Sequence, residues 1–167
     1  METLLDRLKK RYPEVGFAEG VRFSWSPTKR EVIVPKEFQN IEVDKWSLLH
    51  EVGHALLEHD DFETDFELLQ LEMEAWKKAE EVAKDFEITI SQDHIQDCLD
   101  TYRDWLYQRS TCPSCTNCSL QSDSKTYQCF NCGMSWHVSA SRMCRPYRRK
   151  EISNQESEIS RRGQVFK

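Results

Sequence analysis

The residues best suited to chemistry form a short motif in the first third of the chain, His50-Glu51-Val52-Gly53-His54. Two histidines four positions apart on a helix project from one face, so both imidazoles can reach a single Zn²⁺ at about 2.0–2.1 Å. The glutamate between them points to the side, where it can take a proton from a zinc-bound water that attacks a peptide carbonyl. The motif therefore predicts a catalytic zinc site with Glu51 as the general base.

The neighbours of this motif favour a buried helix. Gly53 leaves space beside the metal, and the other neighbours are apolar: Trp46, Leu48, Leu49, Val52, Ala55, Leu56 and Leu57. The alternative is a chance match, which average residue usage gives in roughly one chain in a hundred of this length. Requiring a buried helical context makes such a coincidence rarer still, so we interpret the motif as a metal site.

A third ligand is expected from a helix predicted at about 65–86, which offers Glu72 and Glu74. At 100° per residue, Glu72 lies in the middle of an apolar stripe, whereas Glu74 points almost oppositely, towards solvent. The stripe within about 60° of Glu72 comprises Leu68, Ala75, Trp76, Ala79, Ala83 and Phe86. A metal offsets the cost of burying a carboxylate there, so Glu72 is the predicted ligand. The alternative is a buried carboxylate paired with an arginine or lysine.

Three further side chains have more than one interpretation. His59 lies five residues after His54 and therefore on the far side of the helix, which favours a surface residue or an outer support for a ligand over a ligand. His94 can donate a hydrogen bond to an oxyanion or can be an ordinary surface residue at the start of a helix. Tyr102 can also donate to an oxyanion, and the sequence does not choose between them.

Cysteines form a second motif in the last third of the chain. The pairs Cys112-Pro-Ser-Cys115 and Cys129-Phe-Asn-Cys132 are separated by thirteen residues, the spacing of a structural Cys₄ zinc site. Gly133 permits the tight turn that follows the second pair. A segment this small cannot build a sufficient core, so a metal would supply much of its folding free energy. The motif predicts a zinc ribbon.

The remaining cysteines leave one alternative open. Cys118 also forms a legal metal-binding pair with Cys115, so it can replace Cys112 as a ligand. Cys98 and Cys144 are predicted to be spare thiols. In a chain whose start, METLLDRLKKRYPE, has no secretory signal, paired C-x-x-C spacings indicate metal ligands rather than disulfides, and we expect a cytoplasmic protein.

The two parts of the chain differ in charge. Residues 1–110 carry 14 Lys+Arg and 25 Asp+Glu, a balance of −11, whereas residues 111–167 carry 9 and 4, a balance of +5. The difference suggests two modules with different partners. Basic residues beyond the cysteines cluster around Tyr147, namely Arg142, Arg145, Arg148, Arg149 and Lys150. They can hold nucleic acid phosphates, and the alternatives are a solvated tail or a dock for an acidic protein.

Local patterns predict the elements that must position these motifs. A short amphipathic helix carries Leu4, Leu5 and Leu8, and alternating residues at 21–25 and 31–35 predict two half-buried antiparallel strands. Asp44 is a candidate N-cap for the helix of the histidine motif, and Ser91 for a helix that continues to about 109. The apolar face of that last helix comprises Ile95, Cys98, Leu99, Tyr102, Trp105 and Leu106. Short strands at 125–128 and 134–138 are expected beside the second cysteine pair.

These elements predict the α+β class and three segments. Residues 1–110 would form a metallopeptidase domain of helices and a short antiparallel sheet, and residues 111–147 a Cys₄ ribbon. Residues 148–167 have almost no apolar content and would form a disordered basic and polar tail. No apolar run approaches the roughly 20 residues that a membrane span needs, so we expect no membrane partner.

The histidine motif and the glutamate that follows it resemble the ImmA/IrrE family of bacterial and phage-borne zinc metallopeptidases. The likeness covers residues 1–110 and includes His50-Glu51-Val52-Gly53-His54 and Glu72-x-Glu74-Ala75. It implies a gluzincin-like minimal fold and limited proteolysis of a regulatory protein, often a helix-turn-helix repressor. It also implies that His50, His54 and Glu72 bind zinc and that Glu51 is catalytic.

The chain departs from this family in two respects. Family members commonly carry Asp or Asn four residues after the third ligand, able to steady a ligating histidine, and here that position is Trp76. Some other acceptor would then have to orient the histidines. The family also usually lacks the cysteine module, which would add a second, structural zinc and a surface that helps to select the protein substrate.

Two other functions compete with this interpretation. A SprT-like protease acting on DNA-bound proteins also joins an HExxH motif to a zinc ribbon, but it takes a third histidine, and no histidine lies between His59 and His94. A non-catalytic, zinc-stabilised adaptor for DNA or protein would use the motif only structurally. Such an adaptor has no need of Glu51, so the sequence favours an intracellular zinc endopeptidase.

Overall fold

The computed structural model describes residues 2–139 and the backbone alone of Arg148–Lys150. This part of the chain contains four helices and two small sheets, so the predicted α+β class is confirmed. The chain divides into two compact units, Met1–Asp104 and Trp105–Lys167. In the described part of the chain, no helix is both long enough and apolar enough to cross a membrane.

The sheet of the first unit contains β1 (Gly16–Gly20), β2 (Ser24–Ser26) and β3 (Glu31–Pro35), in the order β1-β3-β2. The prediction for β3 is confirmed, and β2 pairs with it antiparallel as expected, although β2 is shorter than the predicted strand at 21–25 and begins three residues later. The sheet is mixed rather than purely antiparallel, because β1 pairs with β3 in parallel. The sequence does not predict β1, because its segment, GFAEG, begins and ends with glycine, which is depleted in strands.

Two short helices begin with side-chain caps. Helix α1 (Leu4–Arg11) is capped by Thr3, and α2 (Ile41–Leu56) by Asn40, whose side chain accepts from the backbone N–H of Val43. The prediction of Asp44 as the cap was wrong, because the cap is Asn40, four residues earlier, and α2 begins at Ile41. The carboxylate of Asp44 instead accepts from the backbone N–H of Asn40 at 2.9 Å, which satisfies another donor at the same helix end.

Two longer helices follow. Helix α3 (Asp65–Asp85) agrees with its predicted span and starts with a capping box between Thr64 and Glu67. Helix α4 (Gln92–Ser110) begins after Ser91, whose hydroxyl accepts from the backbone N–H of His94 at 3.4 Å, as expected of a cap. Ile95 and Leu99 of α4 are buried in the core of the first unit, as predicted for its apolar face.

Helices α2 and α3 approach each other closely at Gly53. A Cβ atom at this position would lie 2.5 Å from the backbone oxygen of Ala75, a distance that real Cβ atoms do not show. The expected space beside the metal is therefore occupied by the backbone of α3. This close approach brings the histidines of α2 within reach of a side chain on α3.

The second unit contains an antiparallel sheet in the order β4-β5-β6-β7. Its strands are β4 (Gln121–Asp123), β5 (Thr126–Gln128), β6 (Ser135–Val138) and β7 (Arg148–Lys150). Strands β5 and β6 agree with the predicted strands within one residue, whereas β7 lies at the start of the segment predicted as a disordered tail. The rest of that tail, 151–167, lies outside the described residues, as do Arg142, Cys144, Arg145 and Tyr147.

Candidate metal centres

The first centre combines two histidines of α2 with one glutamate of α3. The Nε2 atoms of His50 and His54 lie 3.2 Å apart, and a carboxylate oxygen of Glu72 lies 3.1 Å from His50 Nε2. The other carboxylate oxygen of Glu72 lies 3.7 Å from His54 Nε2. The helical phase that placed Glu72 in the apolar stripe thus brings it to the two histidines.

The distances within this group suit a metal ion. Tetrahedral ligands at about 2.0–2.1 Å from zinc stand about 3.3 Å from one another, close to the separations of the three ligand atoms. All three side chains are buried, with 7–8% of each residue exposed. Two imidazole nitrogens that face each other need a shared proton or a cation between them, and the carboxylate supplies the opposite charge. The donor set therefore fits a divalent metal.

The carboxyl group of Glu72 is held as an anion. Burial raises its pKa, but hydrogen bonds with His50 and His54 and their charge outweigh burial and leave the pKa well below the usual range of a glutamate. An anionic oxygen that is already oriented towards two imidazoles is the form that binds metal. Glu74 lies on the exposed side of α3, with 61% of its side chain accessible, as the helical phase predicted.

The predicted general base, Glu51, is anchored by the sheet. One carboxylate oxygen of Glu51 accepts a hydrogen bond of 2.7 Å from the backbone N–H of Trp25 in β2. The indole of Trp25 in turn donates to the backbone oxygen of His59 at 2.7 Å. Trp25 therefore links the edge strand β2 to the end of the motif helix, and its backbone fixes one oxygen of Glu51.

His59 lies where one of its two expected roles, an outer support for His54, would place it. It is buried, with 7% exposed, and its Nδ1 lies 2.9 Å from Nδ1 of His54. Its Nε2 lies 3.5 Å from a carboxylate oxygen of Glu74. Burial and the neighbouring His54 lower the pKa of His59, so the neutral imidazole is favoured. The far-side placement was wrong because α2 ends at Leu56, and the chain then turns back on the helix.

An aromatic cluster covers His50, the other histidine of this centre. Trp76 stacks on His50 with ring centroids 4.2 Å apart and an angle of 27° between the planes. The ring centroid of His94 lies 5.7 Å from that of Trp76, in an edge-on arrangement, and 5.0 Å from that of Trp46. The Nε2 atom of His94 lies 3.6 Å from the sulfur of Cys98. The aromatic contacts place His94 one ring away from His50. Its suggested role as an oxyanion donor, like that of the half-buried Tyr102, stays a prediction.

The second centre consists of the four cysteines of the two pairs. The sulfurs of Cys112 and Cys132 lie 3.7 Å apart, and those of Cys115 and Cys129 lie 3.4 Å apart. Tetrahedral thiolates at about 2.3 Å from zinc stand about 3.8 Å from one another, so the arrangement fits one metal ion. Backbone N–H groups of the second pair, chiefly that of Cys132, lower the pKa of Cys129 to about 6.

Each cysteine pair is followed by a residue in the left-handed region. Gly133 has a φ of 72°, as its predicted turn requires, and Thr116 adopts a φ of 63° after the first pair. The backbone N–H of each of these residues donates to the carbonyl of the first cysteine of its pair, at 3.0 Å for Thr116 and 2.9 Å for Gly133. The two turns are therefore equivalent, although the sequence signals only one of them with a glycine.

The structure also places the two other described cysteines. Cys118 is exposed and lies outside the group of four, with its sulfur 3.9 Å from the hydroxyl of Thr111. The geometry thus favours Cys112 over Cys118 as the partner of Cys115. Burial raises the pKa of Cys98, with further contributions from Asp97 and Glu72, so its thiol form is favoured.

The two centres differ in what they can do chemically. The first provides three ligand atoms from α2 and α3, and Glu51 provides a carboxylate next to His50 in the chain. This combination is suited to activating a water. The second provides four thiols and suits a closed, structural site. Comparison of the chain with protein-family models, with curated proteins and with solved structures yields no match.

Proposed function

We propose that the chain is a zinc endopeptidase, with His50, His54 and Glu72 as ligands of the catalytic zinc. One observation carries the proposal. Two imidazole nitrogens and a buried, anionic carboxylate oxygen converge at 3.1–3.7 Å from one another, the spacing of ligands around one small cation. The residue between the histidines is a glutamate, the type of base that hydrolysis at such a metal requires.

Different residues of the chain would have different roles in hydrolysis. A Zn²⁺ held by His50, His54 and Glu72 would lower the pKa of a water towards about 7 and would polarise the substrate carbonyl. Glu51 accepts the proton of the attacking water and later delivers it to the leaving amine. The backbone N–H of Trp25 holds one oxygen of Glu51 at 2.7 Å, so the carboxylate keeps one orientation during these transfers. Glu72 supplies a negative charge that favours metal retention.

The third ligand and the base separate this function from its alternatives. In a SprT-like protease the third ligand is a histidine, but the group at this centre is completed by Glu72, and His59 faces the opposite ring nitrogen of His54. A non-catalytic adaptor would hold its metal without a base. The hydrogen bond from the backbone N–H of Trp25 orients the carboxylate of Glu51. This favours a catalytic role for Glu51, since a structural metal site does not need an oriented base.

The substrate class follows from the resemblance to ImmA/IrrE metallopeptidases. We take the substrate to be a regulatory protein such as a helix-turn-helix repressor inside the cell, with the second unit recruiting it or nucleic acid. None of the six described cysteines forms a disulfide, which suits a reducing compartment. Four of them form the second group, which would hold a structural zinc.

The test compares the wild-type chain with Glu51→Gln on a proteome-derived peptide library, with new N-termini identified by mass spectrometry. The wild type with two equivalents of zinc should produce new termini. Glu51→Gln should slow cleavage by about 10²–10⁴-fold, because an amide cannot accept the proton, while both metals are retained. Glu42→Gln, an exposed change on the same helix, serves as the control and should cleave normally.

Two outcomes would contradict the proposal. Zinc-loaded wild type that generates no new termini would exclude the protease function. Equal cleavage by wild type and Glu51→Gln would exclude Glu51 as the base and indicate a contaminating peptidase. In either case, retained metal at the first centre would favour the adaptor.

A further inference from the structure

The turn after α2 directs His59 back onto the helix it follows. The backbone N–H of His59 donates to the carbonyl of His54 at 3.1 Å, and that of Glu58 to the carbonyl of Ala55 at 3.2 Å. These two bonds, with Glu58 at a φ of 54°, form a Schellman motif, which usually places glycine at this position. Glu58 therefore adopts a left-handed conformation although it is not a glycine, and the turn that it forms fixes the position of His59.

The contact between His54 and His59 requires a defined arrangement of protons. Their Nδ1 atoms lie 2.9 Å apart, so in the neutral pair one must donate and the other must accept. Nε2 of His54 faces His50 and Glu72, and a nitrogen that binds metal carries no proton. The proton of His54 is then on Nδ1 and is donated to His59. The remaining proton of His59 is on Nε2, which faces the carboxylate of Glu74 at 3.5 Å.

We propose that His59 is a positioning residue of the first centre, which accepts the Nδ1 proton of His54 and thereby fixes the ring that binds the metal. This inference rests on the metal site of the proposed function. It assigns to His59 the role of steadying a ligand histidine, which Trp76 cannot fill in place of the usual Asp or Asn. Beyond His59, the carboxylate of Glu74 on the surface of α3 lies 3.5 Å from Nε2, within ion-pair range but without a hydrogen bond. The backbone carbonyl of His59 accepts a hydrogen bond from the indole of Trp25, which fixes the position of His59 relative to the sheet.

The second ligand histidine is steadied in another way. His50 stacks on Trp76, and among the described residues its buried Nδ1 has no hydrogen-bond partner. Stacking fixes the plane of the His50 ring but does not select its tautomer. The hydrogen-bonded support of this centre therefore acts through His54, and loss of His59 removes it.

Nitrogen-edited NMR of the zinc-loaded full chain reads the proposed arrangement directly, without any substitution. Long-range spectra of the imidazole rings distinguish a protonated Nδ1 from a protonated Nε2. We expect His54 to be protonated at Nδ1 and His59 at Nε2. The opposite tautomer of either residue, or a doubly protonated His59, would overturn the proposal.

Two variants of the full chain then measure the effect on metal binding. His59→Leu removes the acceptor and should weaken zinc at the first centre by about 10–100-fold in chelator competition. His59→Asn keeps an acceptor, since its side-chain oxygen can take the place of Nδ1, and should bind within a few-fold of wild type. His137→Leu removes an exposed histidine of the second unit and should bind as wild type does.

Cobalt substitution assigns the loss to one centre. Sulfur-to-cobalt charge transfer reports only the cysteine site, so His59→Leu should leave that absorption unchanged while the weaker d–d bands of the first centre alter. Wild-type affinity in His59→Leu, or equal losses in His59→Leu and His59→Asn, would overturn the positioning role. A wild-type chain that binds metal at this centre but cleaves no peptide would defeat the proposed function and leave the role of His59 intact.

Discussion

The two candidate metal centres are built on very different supports. The histidine–glutamate centre lies on α2 and α3, whose unit has a core of 17 buried residues that extends through the sheet and all four helices. The cysteine centre lies on two turns, and among the residues that the structure describes, the core cluster of its unit contains five buried residues, two of which are cysteines of the centre itself. Tyr127 and Trp136, stacked with centroids 5.4 Å apart, provide most of the remaining apolar packing.

This difference indicates what each metal contributes. A large core can fold without the metal and hold three ligands in place, which leaves coordination positions for water and substrate. A core of five residues cannot offset the entropy of ordering its chain, so there the metal supplies folding free energy. Under the proposed function, metal binding at the first centre would serve chemistry, and metal binding at the second would serve structure.

Cys129→Ser should have the largest effect on structure. Binding of structural zinc contributes about 10–16 kcal/mol in zinc-finger peptides, so the loss of one thiolate should unfold the second unit. We expect one metal equivalent to be lost and the amide resonances of residues 111–139 to collapse, while those of residues 2–104 persist. Metal analysis and amide NMR spectra measure both.

Cys118→Ser is the matched control for this substitution. Cys118 is an exposed cysteine outside the group of four, so its loss should leave metal content and spectra unchanged. Loss of metal in Cys118→Ser would show that it, rather than Cys112, is the partner of Cys115. A folded second unit in Cys129→Ser would refute the division of roles between the two centres.

Glu72→Ala should remove the metal from the first centre and leave its unit folded. Loss of a ligand should weaken zinc by more than the roughly 100-fold that loss of an outer partner can cost. Glu74→Ala, two residues away and exposed, should weaken it only a few-fold through its contact with His59. Chelator competition on the full chain ranks the two variants, and the reverse ranking would refute the helical-phase argument.

Gly53→Ala tests whether the first centre depends on the close approach of α2 and α3. Helix propensity alone predicts that alanine stabilises the protein by about 1 kcal/mol. The added Cβ would lie 2.5 Å from the carbonyl oxygen of Ala75, and such overpacking costs about 1–3 kcal/mol. We therefore expect a lower thermal midpoint and weaker zinc binding, because α3 carries Glu72 away from the histidines. A raised midpoint would show that the helices separate without cost.

Trp76→Leu should have the smallest effect on metal binding. Leucine keeps an apolar side chain beside His50 but loses the stacked ring, so the imidazole gains rotational freedom. We expect zinc affinity to fall a few-fold, whereas Trp76→Phe should retain most of it. Equal affinities of the leucine and phenylalanine variants would show that stacking does not position His50.

Local sequence determined the composition of both centres. The spacing of four places His50 and His54 one helical turn apart, and the 100° step places Glu72 rather than Glu74 on the buried side of α3. The C-x-x-C spacing likewise fixes each pair of cysteine ligands, because a two-residue turn brings the sulfurs together. These relations depend on bonds within a few residues, and they hold wherever the helices and turns form.

Only the tertiary structure decided how the first centre is supported. The anchor on Glu51 comes from Trp25, 26 residues away, and the strand that carries it belongs to a sheet whose parallel member was not predicted. His59 reaches His54 through a turn with Glu58 in a left-handed conformation, which the sequence does not signal because glycine is absent there. The sequence contains the contacting residues, but the packing of distant segments determines which of them meet.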